Sequence, residues 1–354
     1  MKVNCPSCHE LYRIPDERLP MGKRVSFPCP NCKEKIKLDL RLRSTEVAPV
    51  QEEDTKQTGS NSETKTNGEE LKEKILQRLG DLPPMPQVVL KAREVMADVN
   101  SCAKDVVKVI ETDQAITARI LKVANSAYYG MPGKISTIQL ASVVLGYKTI
   151  EELITMAGSS GLLNKTLNGY GLGSGDLWLH SMSVGIGSRI IANRKNPELE
   201  GVSFSAGLIH DAGKLVLDKY IMERKEDFEE IMEHGQETFM KAEAKIFGFN
   251  HAEIGFDVCR HWRIPEDIAI AIKYHHNPSR SGKDELAYIV YMADAIVNMA
   301  DSLDATGGIG AGIEAMMYMI DARAMEFLGL HEADVEPIMD EITKSVGEMA
   351  GDMV

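Results

Sequence analysis

The chain is poor in the residues that build β-sandwiches, and it has no stretch that could cross a bilayer as a helix. Aromatic residues make up only 6 % of its 354 residues, while the 19 methionines outnumber phenylalanine and tryptophan together. Flexible, unbranched side chains in that proportion suit packing between helices. No run approaches the ~18 uncharged apolar residues of a transmembrane span. The opening "MKVNCPSCHE" has no apolar centre of a secretory signal. The expectation is a cytoplasmic protein with no membrane partner. Cysteine is scarce, with six in all, four of them in two close pairs near the N-terminus. The other two, Cys102 and Cys259, stand alone in helical sequence and are expected to be buried reduced thiols. The net charge of −13 is not shared by the first 43 residues, where ten lysines and arginines meet five acids. An acidic remainder excludes a nucleic-acid-coating role for the main body and leaves that role open only to the basic head.

Composition then divides the chain. In residues 1–42, "CPSC" (Cys5, Cys8) and "CPNC" (Cys29, Cys32) stand 20 residues apart. Two such pairs let four thiolates converge on one Zn²⁺, and so short a segment has no core of its own without it. Turn residues and alternating apolar positions between them suit β-hairpins. Residues 43–70 are rich in Ser, Thr, Glu, Lys and Gly, and are expected to form a disordered linker.

From residue 71 apolar side chains recur every three or four positions, as in "LKEKILQRL", "QVVLKAREVMADV" and "AITARILKVANSAYYG". Breaks fall at "GDLPPMPQ" and near Gly146. The expected fold class is an all-α body over 71–300, in halves 71–168 and 169–300, with a helical extension over 301–354. "NSAYYG" reads as a helix cap, and "DATGGIGAGIEAMM" as a loop without a phosphate-binding lysine. Arg119 and Lys122 read as part of a solvated face.

Histidine carries the chemistry. His180 lies in "GDLWLHSMSVGIGSRIIA", His210 and Asp211 in the apolar "GLIHDAGKLVL", and His251 opens "HAEIGFDVCRHW". His275 and His276 form the doublet of "AIAIKYHHNP", and Asp294 sits inside "YIVYMADAIVNM". A carboxylate among apolar residues is costly unless a cation or donor neutralises it. Imidazoles with carboxylates suit iron, manganese, zinc or cobalt, and adjacent His and Asp can ligate one ion while the carboxylate bridges to a second. The bland alternative is a polar cluster held by its own hydrogen bonds. Lys214, one turn after His210, is placed to face a bound phosphate or hydroxide.

These residues resemble the HD superfamily of metal-dependent phosphohydrolases. Together with "LGDLPPMPQVVLKAREVMAD", "ETDQAITARILKVANSAYYG" and "ISTIQLASVVLGYKTIEELI", they resemble an HDOD domain, the HD-related output domain of bacterial signalling proteins, over roughly residues 75–300. The N-terminal segment resembles a bacterial zinc ribbon. The resemblance implies an all-α HD/HDOD helical body, a zinc ion on Cys5, Cys8, Cys29 and Cys32, and a role in signal transduction. It implies one or two divalent metals (Fe, Mn, Zn or Mg) on His180, His210, Asp211, His251, His275, His276 and Asp294. Many HDOD domains lack some of these ligands; this chain has them all. Asp176, one turn before His180, matches an extra carboxylate ligand of the related HD-GYP phosphodiesterases. After the doublet, however, "NPSRSGKDELAY" has no Gly-Tyr-Pro, which argues against their cyclic di-GMP hydrolysis.

Three functions follow as expectations. The first is a signalling output or adaptor protein with a metal-binding HD site and signalling-protein partners. The second is a metal-dependent phosphohydrolase or phosphodiesterase, with a phosphodiester or nucleotide ligand and Asp211 and Lys214 as catalytic groups. The third is a nucleic-acid-binding regulator that acts through the ribbon alone.

Overall fold

Periodic apolar residues become helices wherever a cap or breaker lets them start and stop. In this computed structural model the chain divides into residues 1–58 and 59–354. The structure describes four strands near the N-terminus and then residues 61–79, 82, 84–131, 133–235, 238–305, 317 and 320–350. The first unit holds two antiparallel hairpins. Strand β1 (Lys2–Asn4) pairs with β2 (Leu11–Arg13), and β3 (Arg24–Pro28) pairs with β4 (Lys35–Asp39). Each Cys-x-x-Cys falls in sequence between the strands of one hairpin, although Cys5, Cys8, Cys29 and Cys32 themselves lie outside the described residues.

The second unit begins with α1 (Asn61–Gln77). This corrects the expected 43–70 linker over residues 61–70, which are helical; residues 43–60 lie outside the described residues. Ile75 is fully buried in the core downstream. Once that turn is fixed, each added residue costs little, and the Glu- and Lys-rich sequence upstream propagates the helix. There follow α2 (Gln87–Ala97), α3 (Ala103–Ile110), α4 (Gln114–Ala124), α5 (Ile138–Val144) and α6 (Tyr147–Leu163). Asp113 caps α4 by accepting the N–H groups of Ala115 and Ile116. Gly130 closes the turn after α4 in the left-handed region, at φ 54°. Ile110, Ile120, Ile150 and Leu153 fill the core of this half. Cys102 departs from expectation: it is exposed at the start of α3, where its thiol meets the Asp105 carboxylate at 3.1 Å. Cys259 is buried.

The second half comprises α7 (Asp176–Lys195), α8 (Glu200–Ile209), α9 (Lys214–Glu223), α10 (Lys225–Gly235) and α11 (Phe239–Phe247). After these come α12 (His251–His261), α13 (Glu266–Tyr274) and α14 (Glu285–Ala305). Two further helices, α15 (Ala322–Leu328) and α16 (Glu332–Ala350), complete the chain's described part. Helix α7 packs against α8, α14 and α16. It approaches α8 closely because Gly207 has no side chain; a Cβ there would lie 2.7 Å from the Val184 carbonyl.

One buried ion pair joins the halves. Arg189 of α7 donates to Glu152 of α6 at 2.8 Å, with side chains 11 % and 5 % exposed. Its guanidinium also lies over the rings of Tyr128 and Phe204, at 5.1 and 5.7 Å from their centroids. No helix among the described residues is long and apolar enough to cross a membrane.

Candidate metal centre

Helix ends do most of the positioning. His210 follows the last residue of α8, and Asp211 lies in the turn before α9. His251 is the first residue of α12, whose N-cap Asn250 accepts the Glu253 N–H. His275 and His276 follow α13, while His180 and Asp294 project from within α7 and α14. Gly213 in "HDAGK" lets the turn press against the start of α12, since a Cβ there would run into the His251 carbonyl.

All seven converge. Asp211 is central: its Oδ1 faces His251 Nε2 at 3.3 Å and His275 Nε2 at 4.0 Å. Its Oδ2 faces His210 Nε2 at 3.4 Å and His180 Nε2 at 3.8 Å. Asp294 Oδ1 lies 3.3 Å from His180 Nε2 and 3.7 Å from His210 Nε2, and Oδ2 lies 3.8 Å from His276 Nδ1. Candidate ligand atoms group as His251, His275 and His276; as His180, His210 and Asp211; and as His210, His275 and Asp294, each set within 4.8 Å.

The ring orientations are fixed from behind. His210 Nδ1 donates to the Gly207 carbonyl at 2.7 Å, and His275 Nδ1 donates to the Ile272 carbonyl at 2.6 Å. A carbonyl can only accept, so each ring turns an Nε2 lone pair inward. His251 Nδ1 donates to Glu243 at 2.8 Å, and Tyr170 donates its hydroxyl to the same carboxylate at 2.6 Å. Within this buried cluster His210 Nε2, His275 Nε2 and Asp211 Oδ1 have no hydrogen-bond partner. A cluster satisfied by its own hydrogen bonds would not leave those atoms bare. A divalent cation is the partner that imidazole and carboxylate lone pairs fit, so the residues present suit a metal.

Charge follows the same division. Burial would raise the Asp211 carboxyl, but Lys214, His210 and His251 hold it well below the carboxylate range. Asp294 is depressed in the same way by His180 and His210. Burial also opposes a charged His180, yet Asp294, Asp301 and Asp211 outweigh it and lift the ring to about 9. His276 goes the other way, lowered to about 4 by burial and by His251. His275 is likewise held well below its ordinary value by burial and its neighbouring histidines.

Lys214 lies inside the site, with its ammonium on Asp211 Oδ2 at 2.5 Å. Asp176 does not join the grouped ligand atoms; its carboxylate accepts the Gly173 N–H at 2.7 Å. The edge of His180, with Asp176 and Asp301, borders a cavity of about 310 Å³ between α7, α14 and α16, walled by Leu179, Val297 and Ile342. Sequence reasoning did not find Glu243, Tyr170 or Asp301. Glu243 sits in "KAEAKIFG", which reads as an ordinary solvated helix, yet it is completely buried.

Comparison with known proteins places the chain by family and by fold. The model of the HDOD domain family matches residues 82–278, and that of a zinc-ribbon domain matches residues 1–37. An uncharacterized protein of Treponema pallidum (strain Nichols) is 25 % identical over 218 residues, which are 61 % of this chain and 42 % of that protein. The chain thus spans less than half the length of this curated relative. The crystal structure of an HDOD domain protein of unknown function from Geobacter sulfurreducens has a TM-score of 0.64 at 22 % identity, covering 82 % of this chain and 99 % of that one. That of a proposed phosphohydrolase from Shewanella amazonensis SB2B has a TM-score of 0.63 at 22 % identity, covering 79 % and 98 %. At such identities the likeness is one of fold. The family model spans more than half of the chain, and the protein belongs to the HDOD family.

Proposed function

We propose that this protein is a signal-transduction output protein whose HDOD body holds one or two divalent metal ions on His180, His210, Asp211, His251, His275, His276 and Asp294. The observation that carries the reading is the double-sided Asp211. One oxygen faces His251 and His275 and the other faces His180 and His210, while the Nε2 atoms of His210 and His275 have no hydrogen-bond partner. A carboxylate so placed can bridge two ions. Glu243 and the backbone carbonyls of Gly207 and Ile272 hold the rings in the tautomer that ligation needs. Lys214 keeps Asp211 ionised. Metal content of the full chain beside its Asp211→Ala variant tests this. A difference of one or two ions per chain supports the site; equal content refutes it, the ribbon's zinc being common to both.

Phosphoester hydrolysis is the second reading, favoured by the cavity that meets the exposed edge of His180. A bound divalent metal would supply Lewis-acid stabilisation of charge developing on a phosphoryl group. The residues of the chain would hold the ions, exclude water from the buried side and keep Asp211 in its charged form. Hydrolysis of a phosphoester panel that vanishes in Asp211→Ala supports catalysis. A metal-loaded protein without turnover, whose signalling output survives the same change, leaves the output reading standing alone.

A further inference from the structure

On the face of α7 away from the metal centre, the two halves of the domain meet in a second cavity of about 310 Å³. Its lining includes Arg119 and Lys122 of α4, Ser160 and Gly161 of α6, Asn164 just past α6, and Trp178 of α7. The volume equals about ten waters. Arg119 is exposed, but its head is anchored. Its Nη1 donates to the Ala157 carbonyl at 3.1 Å, and the guanidinium lies over Gly161, within 4 Å of where a Cβ would be. Neither Arg119 nor Lys122 makes an ion pair among the described residues, and no acid lines the cavity. The protein carries a net charge of −13, yet this lining holds two cations. The cations stand one helical turn apart in a lining that also holds a partly exposed indole, a hydroxyl and an amide.

We propose that this interhalf cavity is a binding site for a nucleoside phosphate. Arg119 and Lys122 take the phosphate, Trp178 stacks on the base, and Ser160 and Asn164 hydrogen-bond to the polar edge between them. Each element of the ligand is required by a different part of the lining. Unpaired guanidinium and ammonium donors select a phosphate over a neutral group, and the indole face selects a planar ring. Trp178 lies two residues before His180, about 200° round the helix. The site is therefore separate from the metal cluster and needs no metal.

Intrinsic fluorescence tests it directly, because Trp178 and Trp262 are the two tryptophans and Trp262 is buried. The full chain is titrated with GMP and AMP, and with pyrophosphate as the ringless control. The expected result is saturable quenching by a nucleotide that pyrophosphate does not reproduce. Binding should weaken by about tenfold or more in Arg119→Glu/Lys122→Glu and remain unchanged in Asp211→Ala. Lys122→Gln, a milder change at an exposed residue, should weaken it in the same direction. Calorimetry on Trp178→Phe should show reduced nucleotide affinity with an unaltered unfolding midpoint. No saturable quenching by either nucleotide overturns the proposal. So does equal quenching by pyrophosphate, which would make the cavity a phosphate site only. Loss of binding in Asp211→Ala would move the nucleotide to the metal cluster and likewise overturn it.

Discussion

Glu243→Gln is the sharpest probe of the metal centre, because it keeps the shape of the side chain and removes only its charge. The carboxylate accepts the His251 backbone N–H at 2.7 Å, His251 Nδ1 at 2.8 Å and the Tyr170 hydroxyl at 2.6 Å. An amide can turn its oxygen toward the two His251 donors and its NH₂ toward Tyr170, whose hydroxyl rotates to accept. All contacts survive, so the metal-free protein should lose only the charge assistance, about 1–2 kcal/mol. Metal affinity should fall more visibly. Removing the carboxylate behind a ligating histidine makes its Nε2 less basic, which typically weakens binding 10- to 100-fold, or about 1.4–2.7 kcal/mol. The assay is competition with a chromophoric chelator for Mn²⁺ or Zn²⁺, with denaturant unfolding of the metal-free protein alongside. Tyr170→Phe leaves the His251 contacts in place and should weaken binding by less than tenfold. A folded Glu243→Gln protein that binds metal within twofold of the parent would refute the assignment of His251 as a ligand.

Three further outcomes are expected. For the metal-free protein, stability should peak near pH 6.5. Below it the unfolded chain takes up protons that the buried, depressed His275 and His276 refuse, down to about 4 for His276. Above it the raised His180 surrenders a stabilising proton as pH climbs to about 9; a flat denaturation profile from pH 4 to 9 would contradict both. Gly213→Ala should cost about 1–3 kcal/mol or more, because the new methyl meets the His251 carbonyl rather than a movable side chain. An unchanged unfolding midpoint would show that the turn is not tightly seated. Arg189→Met strands the buried Glu152 and should destabilise by about 3–5 kcal/mol, partly recovered in Arg189→Met/Glu152→Leu. A double variant that loses the sum of the two single-variant losses would mean that the pair is not coupled.

The helical body and its seven converging His and Asp residues are legible in the sequence for a physical reason. An ionisable group inside an apolar helix, such as Asp294, signals an unusual environment through the cost of burying it unpaired. What stands behind these residues is not legible. Glu243 and Tyr170 come from α11 and from the loop before α7, and only tertiary packing brings them to His251. Asp176 is a candidate ligand only through the resemblance to HD-GYP phosphodiesterases, and its carboxylate turns to the Gly173 backbone. Arg119 and Lys122 read as a solvated face and are exposed; that Asn164 and Trp178 line the same cavity is settled by tertiary packing, which helical periodicity does not show. The onset of α1 is hidden for a related reason: residues 61–70 lack apolar side chains and are helical because Ile75 anchors the turn after them.

Helix α7 presents Trp178 to one cavity, His180 to the metal cluster and Arg189 to the buried ion pair, all within twelve residues. A rigid α-helix cannot turn one of these without turning the others. With side chains reaching ~5 Å from the axis, a roll of about 15° shifts their atoms by more than an ångström. Ligand-to-metal distances tolerate only about 0.2 Å. A single rotational setting of α7 therefore serves all three positions: the packing that seats Arg189 on Glu152 and beneath the rings of Tyr128 and Phe204 also fixes the angle at which His180 enters the cluster.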